Sequence, residues 1–485
     1  MDLSVEQPNL SDADGGGEDR LSALPDDVLI HILVLVDDAA ESARTSILAR
    51  RWHRRRLWAH LPELNFNFIE HRRIGAALAA HEAPGLGLVF ALTMDASPES
   101  ASAWLPIAAR DLYGQIYLEV VVRPEEAEER GGGAIDLPCF DKASCIMLKP
   151  GFLRLALPPS GVFARLKDLW LVDFQVAHGE CGLGDLLSSQ RCPSLQSLVV
   201  RNARGLDSFT IRHDSLLDME LSDLDRLQQL TVVAPALQKL KVCGCFADPL
   251  NRDMSAANVS APRLTKLEWT NDYDPSSIQI DIKRMTLLER LNIQLFIQGG
   301  LEGDSQHNQY CMMLLRHFDR IHTLDLLITY PPGICTGPYM MEHMPRLPNI
   351  TYLALCVMAY GHSFGASSFD VLRRCTSAKK LDLYFLPEKE LEEQTPCPSG
   401  CTCDDPPSWR TEELALNCLE EIVILRMRGT EHEVALVQRL FHWATSLKRL
   451  EIDFHELIPE SKVKELRQLL PSFSRPDVCI DWSDL

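Results

Sequence analysis

Beyond residue 160 the chain sets large apolar residues in a recurring frame, L-x-x-L-x-L, clearest at Leu166-x-x-Leu169-x-Leu171 and continued by Phe174 and Val176. The frame returns at Leu195-Leu198-Val200, Leu216-Met219-Leu221, Leu237-Leu240-Val242, Leu264-Leu267-Trp269 and Leu288-Leu291-Ile293. Later copies are Ile321-Leu324-Leu326, Ile350-Leu353-Leu355, Ala378-Leu381-Leu383, Leu419-Ile422-Ile424 and Leu447-Leu450-Ile452. The last alternating pair of each copy has the period of two that marks a half-buried strand, so each copy predicts a short strand followed by a return segment. Between Arg191 and Phe246 a half-frame intervenes at Leu206-Phe209-Ile211 and Leu227-Leu230-Val232, and the return there is read as extended. Ser305 to Phe318 reads as a helical return, and Pro98 to Arg110, with Trp104 and Leu105, as a helix between strands near Leu88–Met94 and Ile116–Val122. No single unit of this kind can bury both faces of its strand, so neighbours must stack into one continuous core.

Copies of the frame follow one another at roughly 21 to 33 residues, with a longer gap before Leu419; the pattern resembles the leucine-rich repeat, whose period is about 20 to 29. The resemblance implies an α/β fold: an irregular solenoid, or horseshoe, with parallel strands on its concave side. Such a surface offers area without a deep pocket, which suits protein recognition. Trp170, Trp269, Tyr273 and Tyr384 lie beside the strands as either recognition anchors or core, and core packing is the reading preferred for each.

The N-terminal part follows a different rhythm. Leu24-Pro25-Asp26-Asp27-Val28 has the grammar of a helix start, with proline where its missing N–H costs nothing and two carboxylates at the positive end of the dipole. Val28, Leu29, Ile32, Leu33 and Val36 then make one broad apolar stripe. Asp37 and Asp38 interrupt it, Glu41 to Leu48 resumes as a second helix, and Arg50 to Trp58 sets a basic face beside Trp52 and Trp58. Three helices this short bury little and call for outside support.

Taken in order, Leu-Pro-Asp-Asp-Val-Leu, Arg-Thr-Ser, Arg-Arg-Trp and Leu-Trp between Asp19 and Phe66 resemble an F-box of the plant type. The resemblance implies that the box docks on a Skp-type adaptor, which bridges to a cullin scaffold. Leu24, Pro25, Val28, Leu29, Ile32, Leu33, Trp52 and Trp58 would then fall at docking or box-core positions.

Near the C-terminus, Thr430-Glu431-His432-Glu433 is a capping-box pattern ahead of Val434, Val437, Leu440 and Phe441, and Ser461 to Leu470 reads as a last helix capping the open end of the solenoid. The stretch NCLEEIVILRMRGTEHEVALVQRLFHWATSLKRLEI resembles the FBD-type region attached to many plant F-box and leucine-rich-repeat proteins. Expected boundaries are an acidic leader at 1–18, the box at 19–66, a connector with first atypical repeats at 67–135, leucine-rich repeats at 136–384, a Cys/Pro-rich loop at 385–410 and FBD-like terminal repeats with a cap at 411–485.

Charge narrows the function further. A formal net charge of -20 disfavours phosphate backbones, whose non-specific affinity comes from Lys and Arg, so no nucleic-acid partner is expected. The longest early apolar run, Val28 to Val36, is far short of a span, and Met1 to Asp19 lacks the pattern of a secretory signal, so no membrane partner is expected and the chain is read as cytoplasmic or nuclear. Fifteen cysteines scattered among apolar segments suit reduced, buried thiols. Cys397, Cys401 and Cys403 could ligate zinc if Cys375 or Cys418 supplied a fourth thiolate, but the spacing is not the paired C-x-x-C form and a surface loop without metal is preferred.

There is no phosphate loop, zinc-protease helix or nucleophile elbow, and His343, His432 and His442 are isolated, so catalytic and cofactor sites are expected to be absent. The function expected is substrate recognition for a Skp–cullin–F-box ubiquitin ligase, with a protein substrate, its identity open, on the repeat surface. The alternative is a leucine-rich-repeat scaffold that does not assemble with a ligase.

Overall fold

The computed structural model describes residues 24–47 and 54–483, apart from 84, 122–132, 178–181, 225–226, 247–255, 270–277, 281–284, 298–303, 319, 332–338, 340, 342, 387–400 and 404–406. The fold is α/β and is organised by an 18-stranded sheet whose pairings are all parallel. The sheet begins at Glu63–Asn67 and runs through Leu86–Thr93, Leu112–Val120, Cys145–Lys149, Asp168–Val176 and Ser197–Arg204. It continues one strand per repeat frame to Arg449–Phe454 and ends at Cys479–Trp482.

Register explains why the frame repeats. Leu169, Leu198, Met219, Leu240, Leu267 and Leu291 are direct Cα partners in successive strands, and the row goes on through Leu324, Leu353, Leu381, Ile422 and Leu450. Every member of that row is buried. A one-residue slip anywhere would turn the row outward, so burial fixes the register. The same row extends upstream through Leu64, Val89, Ile116 and Ile146, where the sequence shows no full frame.

Behind this sheet stands a layer of returns. The extended returns at Ser208–Arg212 and Gln229–Val233 pair with each other, and Ala256–Ser260 and Ile278–Ile280 join them in a second, four-stranded parallel sheet. Helices fill the layer elsewhere, including Pro98–Asp111, Asp304–His317, Gly365–Leu372 and Glu431–Trp443. A helix is about 10 Å across while paired strands are about 4.8 Å apart, so a helical layer must splay and leave the strands on the inner side of the bend. Asp173 and Asn202, inside their strands, and Asp223 and Gly244, just past theirs, take left-handed backbone in successive repeats, and a Cβ at Gly244 would lie 2.7 Å from Asp223 Oδ1. Asn and Asp tolerate this conformation, and glycine at 244 adopts it without a Cβ to crowd the Asp223 side chain.

At the N-terminal end, helix Asp26–Val34 starts after Pro25, followed by helix Ala39–Ile47 and a 3-10 turn at Leu57–His60. Of the expected third segment, Trp52 lies outside the described residues. Helix Ala39–Ile47 rests against Glu63–Asn67 and so lies at the first strand of the sheet. The Ser42 hydroxyl donates to the Leu33 carbonyl at 3.0 Å, the Asn65 amide donates to the Asp37 carboxylate, and Arg56 pairs with Glu82 at 2.6 Å. The boundary expected after Phe66 therefore runs through a strand already paired with the next repeat.

At the other end, helix Glu460–Leu469 buries Leu466 against the turn at Gly429, where an added Cβ would meet Leu466 Cδ1 at 2.5 Å. The helix belongs to the back layer; strand Cys479–Trp482 forms the last edge of the sheet. The expected helical cap thus differs in place, because the alternation Cys479-Ile480-Asp481-Trp482 takes the free edge of Arg449–Phe454. Among the described residues no helix is long and apolar enough to cross a membrane.

Candidate functional site

Two surfaces carry the side chains singled out above. The first is the outer side of helix Asp26–Val34. Leu29 and Leu33 point into the core and are 0% and 1% exposed, whereas Val28 is 39% and Leu35 72% exposed, and Val36 is exposed beside them. Val28 and half-buried Ile32 flank the packed side of the helix, and Leu35 and Val36 follow in the turn after Val34, so exposed apolar residues border the filled face. Leu24 and Trp58 are half-buried against the core and Pro25 is exposed. Arg56 lies over the Trp58 ring at 5.7 Å. The sequence treated the stripe as continuous; packing divides it, with Leu29 and Leu33 inside.

The second surface is the front of the large sheet, built by the residues alternating with the buried row. Trp170, Glu220, Lys241, Glu268, Asn292, Asp325, Asp382, Glu451 and Asp481 sit in one cross-strand row of it, and Lys239, Lys266, Arg290, Tyr352, Lys380, Glu421 and Arg449 in the next. Acids of one row are tied to bases nearby: Arg201 donates two bonds to Glu220 at 2.9 and 2.7 Å, and Lys241 lies 3.4 Å from Glu220 and 3.3 Å from Glu268. Arg290 forks onto Asp325 at 2.5 and 2.9 Å, the Tyr352 hydroxyl donates to Asp382 at 2.5 Å, and Arg449 reaches Asp481 at 2.8 Å.

These contacts leave electrostatic traces. Burial pushes the Glu220 carboxyl up, but Arg201 and Lys241 outweigh it and hold it below the usual range. The hydrogen bond to Asp325 raises Arg290. Half-exposed pairs of this sort stabilise by only about 0–1 kcal/mol each, so their main effect is to hold the side chains in fixed places. A partner would meet a pre-ordered polar lattice with Trp170 near its start and Tyr384, 38% exposed, further along. Trp269 is core and stacks on Phe246 at 6.2 Å, while Tyr273 lies outside the described residues. The charge lattice was missed in the sequence because it becomes visible only once strands are aligned across repeats.

The expected turn at the FBD-like region is built as read: Thr430 Oγ1 accepts from the Glu433 N–H at 3.3 Å, and one Glu433 oxygen accepts from the N–H groups of Arg428, Gly429 and Thr430 at 3.0, 2.6 and 3.1 Å. Burial pushes this carboxyl up to about 7 against those three donors and Arg428. Of the isolated histidines, His442 meets Glu413 at 2.9 Å on the surface, and His343 is exposed.

Comparison with known proteins adds to this geometry. Residues 128–293 match a family model described as FBD-associated F-box protein At5g56370, LRR repeats. The F-box/FBD/LRR-repeat protein At4g03220 of Arabidopsis thaliana is 25% identical over 57% of this chain and 56% of its own length. The F-box/LRR-repeat protein At4g15060 of the same plant is 26% identical over 63% of this chain and 75% of its own. The FBD-associated F-box protein At5g56440, again from Arabidopsis thaliana, is 24% identical over 94% of this chain and 97% of its own. The chain thus spans little more than half of the first of these and nearly all of the third. Frame, parallel sheet and similarity together make the chain a relative of the plant F-box, FBD and leucine-rich-repeat proteins.

Proposed function

We propose that this chain is the substrate-recognition adaptor of a Skp–cullin–F-box ubiquitin ligase, with an N-terminal three-helix F-box at 19–66 that docks on a Skp-type adaptor and, through it, on a cullin. The observation that carries the reading is the exposed apolar cluster of Val28, Leu35 and Val36, with half-buried Ile32, on a helix and its following turn whose adjoining face is already filled by Leu29 and Leu33. An exposed stripe next to a packed one asks for a partner surface. Leu29 and Leu33 then act as box core, and Leu24, Pro25 and Trp58 border the docking face. The names of the relatives, which include the word F-box, agree with it.

The front of the sheet is the proposed platform for a protein substrate, with the FBD-like repeats at 411–485 closing the array. The chain itself performs no chemistry in this reading. It raises the effective concentration of a substrate lysine at the ubiquitin thioester.

Capture of a Skp-type adaptor by the full chain tests the proposal. Burying a Val or Leu is worth about 1.5–3 kcal/mol, so Val28→Asp with Leu35→Asp should weaken capture at least tenfold. Both positions are exposed, so thermal unfolding should stay unchanged. Undiminished capture by a folded double variant refutes the docking face.

A further inference from the structure

The Cys/Pro-rich insert lies between strands Lys380–Phe385 and Glu421–Met427. Cys401 and Cys403 return to the turn that follows strand Tyr352–Met358, and there they meet His362. One ligand atom from each of His362, Cys401 and Cys403 lies within 4.8 Å of the other two, and His362 Nδ1 is 3.3 Å from Cys401 Sγ. Zn–S bonds near 2.3 Å and Zn–N bonds near 2.0 Å in a tetrahedron place donor atoms about 3.5–3.8 Å apart, so closing this triangle on an ion needs shifts of about 1 Å at most. We propose that His362, Cys401 and Cys403 bind a zinc ion that staples the insert to the repeat before it.

Three further observations support the assignment. His362 and Cys403 are buried, so the donors are held by packing. The other imidazole nitrogen, His362 Nε2, faces the Pro331 carbonyl at 3.1 Å, the outer-shell arrangement that fixes the tautomer leaving Nδ1 as ligand. The Ser363 N–H donates to Cys403 Sγ at 3.4 Å, a contact that favours the thiolate a metal needs. Two thiolates with an imidazole are the donor set of zinc rather than of magnesium or calcium, whose ligands are oxygens.

The insert has a second anchor that depends on the first. Trp409 is fully buried on helix Gly365–Leu372, and a Cβ at Gly365 would lie 2.0 Å from its ring. A metal clip at Cys401 and Cys403 shortens the connection that must be closed to seat Trp409, which lowers the entropy cost of placing that ring. Cys375 and Cys418, the fourth ligands considered from sequence, do not join the group. His362 does, from a separate repeat, which is why spacing alone could not reveal it. Cys397 lies outside the described residues.

The full-length chain, purified reduced and without chelator, is analysed for bound metal by mass spectrometry. It is then stripped and titrated with Co(II), whose thiolate charge-transfer absorption reports cysteine ligation. Bound zinc together with the charge-transfer band is expected. Cys401→Ser with Cys403→Ser should lose both, and Cys418→Ser should keep both. Where the double variant fails to fold, chelation of the native chain replaces it: amide exchange in 407–416 should speed up at least tenfold and return on adding zinc. Absence of zinc and of the band, their retention by a folded double serine variant, or exchange indifferent to chelator overturns the site.

Discussion

Glutamine at position 433 should remove a pH dependence that the native chain carries. Burial lifts the Glu433 carboxyl from 4.5 to about 7, while the N–H groups of Arg428, Gly429 and Thr430, and the Arg428 charge, pull the other way. A folded-state value above the unfolded one means that the fold binds the proton more tightly. The resulting stabilisation is complete below about pH 4.5 and is lost as pH rises through about 7. At about 1.4 kcal/mol per unit, the window is worth on the order of 3 kcal/mol. Glutamine keeps an acceptor for the three donors and cannot titrate. Urea unfolding of Glu433→Gln and the native chain, followed by circular dichroism from about pH 5 to about pH 8, should therefore show the native chain losing its advantage steadily. His71 and His213, whose values burial lowers, oppose that slope but act equally in both proteins and cancel in the difference. A difference that is flat, or that grows in favour of the native chain with rising pH, would mean that the backbone donors outweigh burial and the reasoning is wrong.

Gly365→Ala should press against the Trp409 ring and cost about 1–3 kcal/mol, read as a lowered thermal midpoint and faster exchange in 407–416; an unchanged midpoint would show that the insert is not seated there. Trp104→Phe keeps an aromatic ring but deletes the indole N–H that donates to His71 Nδ1 at 3.0 Å; the unmet buried acceptor alone should cost about 1–3 kcal/mol in urea unfolding, and the smaller ring adds to it. A double-mutant cycle on Arg290 and Asp325 should give a coupling of about 1 kcal/mol despite the forked geometry, since Arg290 is partly exposed; a value several times larger would make the lattice a stabilising device rather than an ordering one.

Much of the architecture could be read from the chain because a parallel strand buried on one face repeats its signature once per turn of the solenoid. Leu198, Leu240, Leu291 and Leu381 were expected in strands and belong to one buried cross-strand row. Strand Glu63–Asn67 was hidden because it follows the helices directly and shows one short alternation. Ala256–Ser260 was hidden because its outward residues are small and its apolar positions, Ala257 and Val259, make no frame. The N-terminal stripe was legible as apolar but not as divided, since periodicity gives the width of a face and not how much of it the fold fills. His362 was illegible as a partner of Cys401 and Cys403, since nothing local links residues from different repeats.

The two ends of the large sheet are not equivalent. Helix Ala39–Ile47 rests against the first strand, while among the described residues Cys479–Trp482 pairs with one strand, Arg449–Phe454. Parallel extension by a second copy would require its first strand to bond to this last one, and that first strand has helix Ala39–Ile47 packed against it. A helix set against one end of the sheet therefore works against head-to-tail growth into a filament even though the other end offers an edge strand.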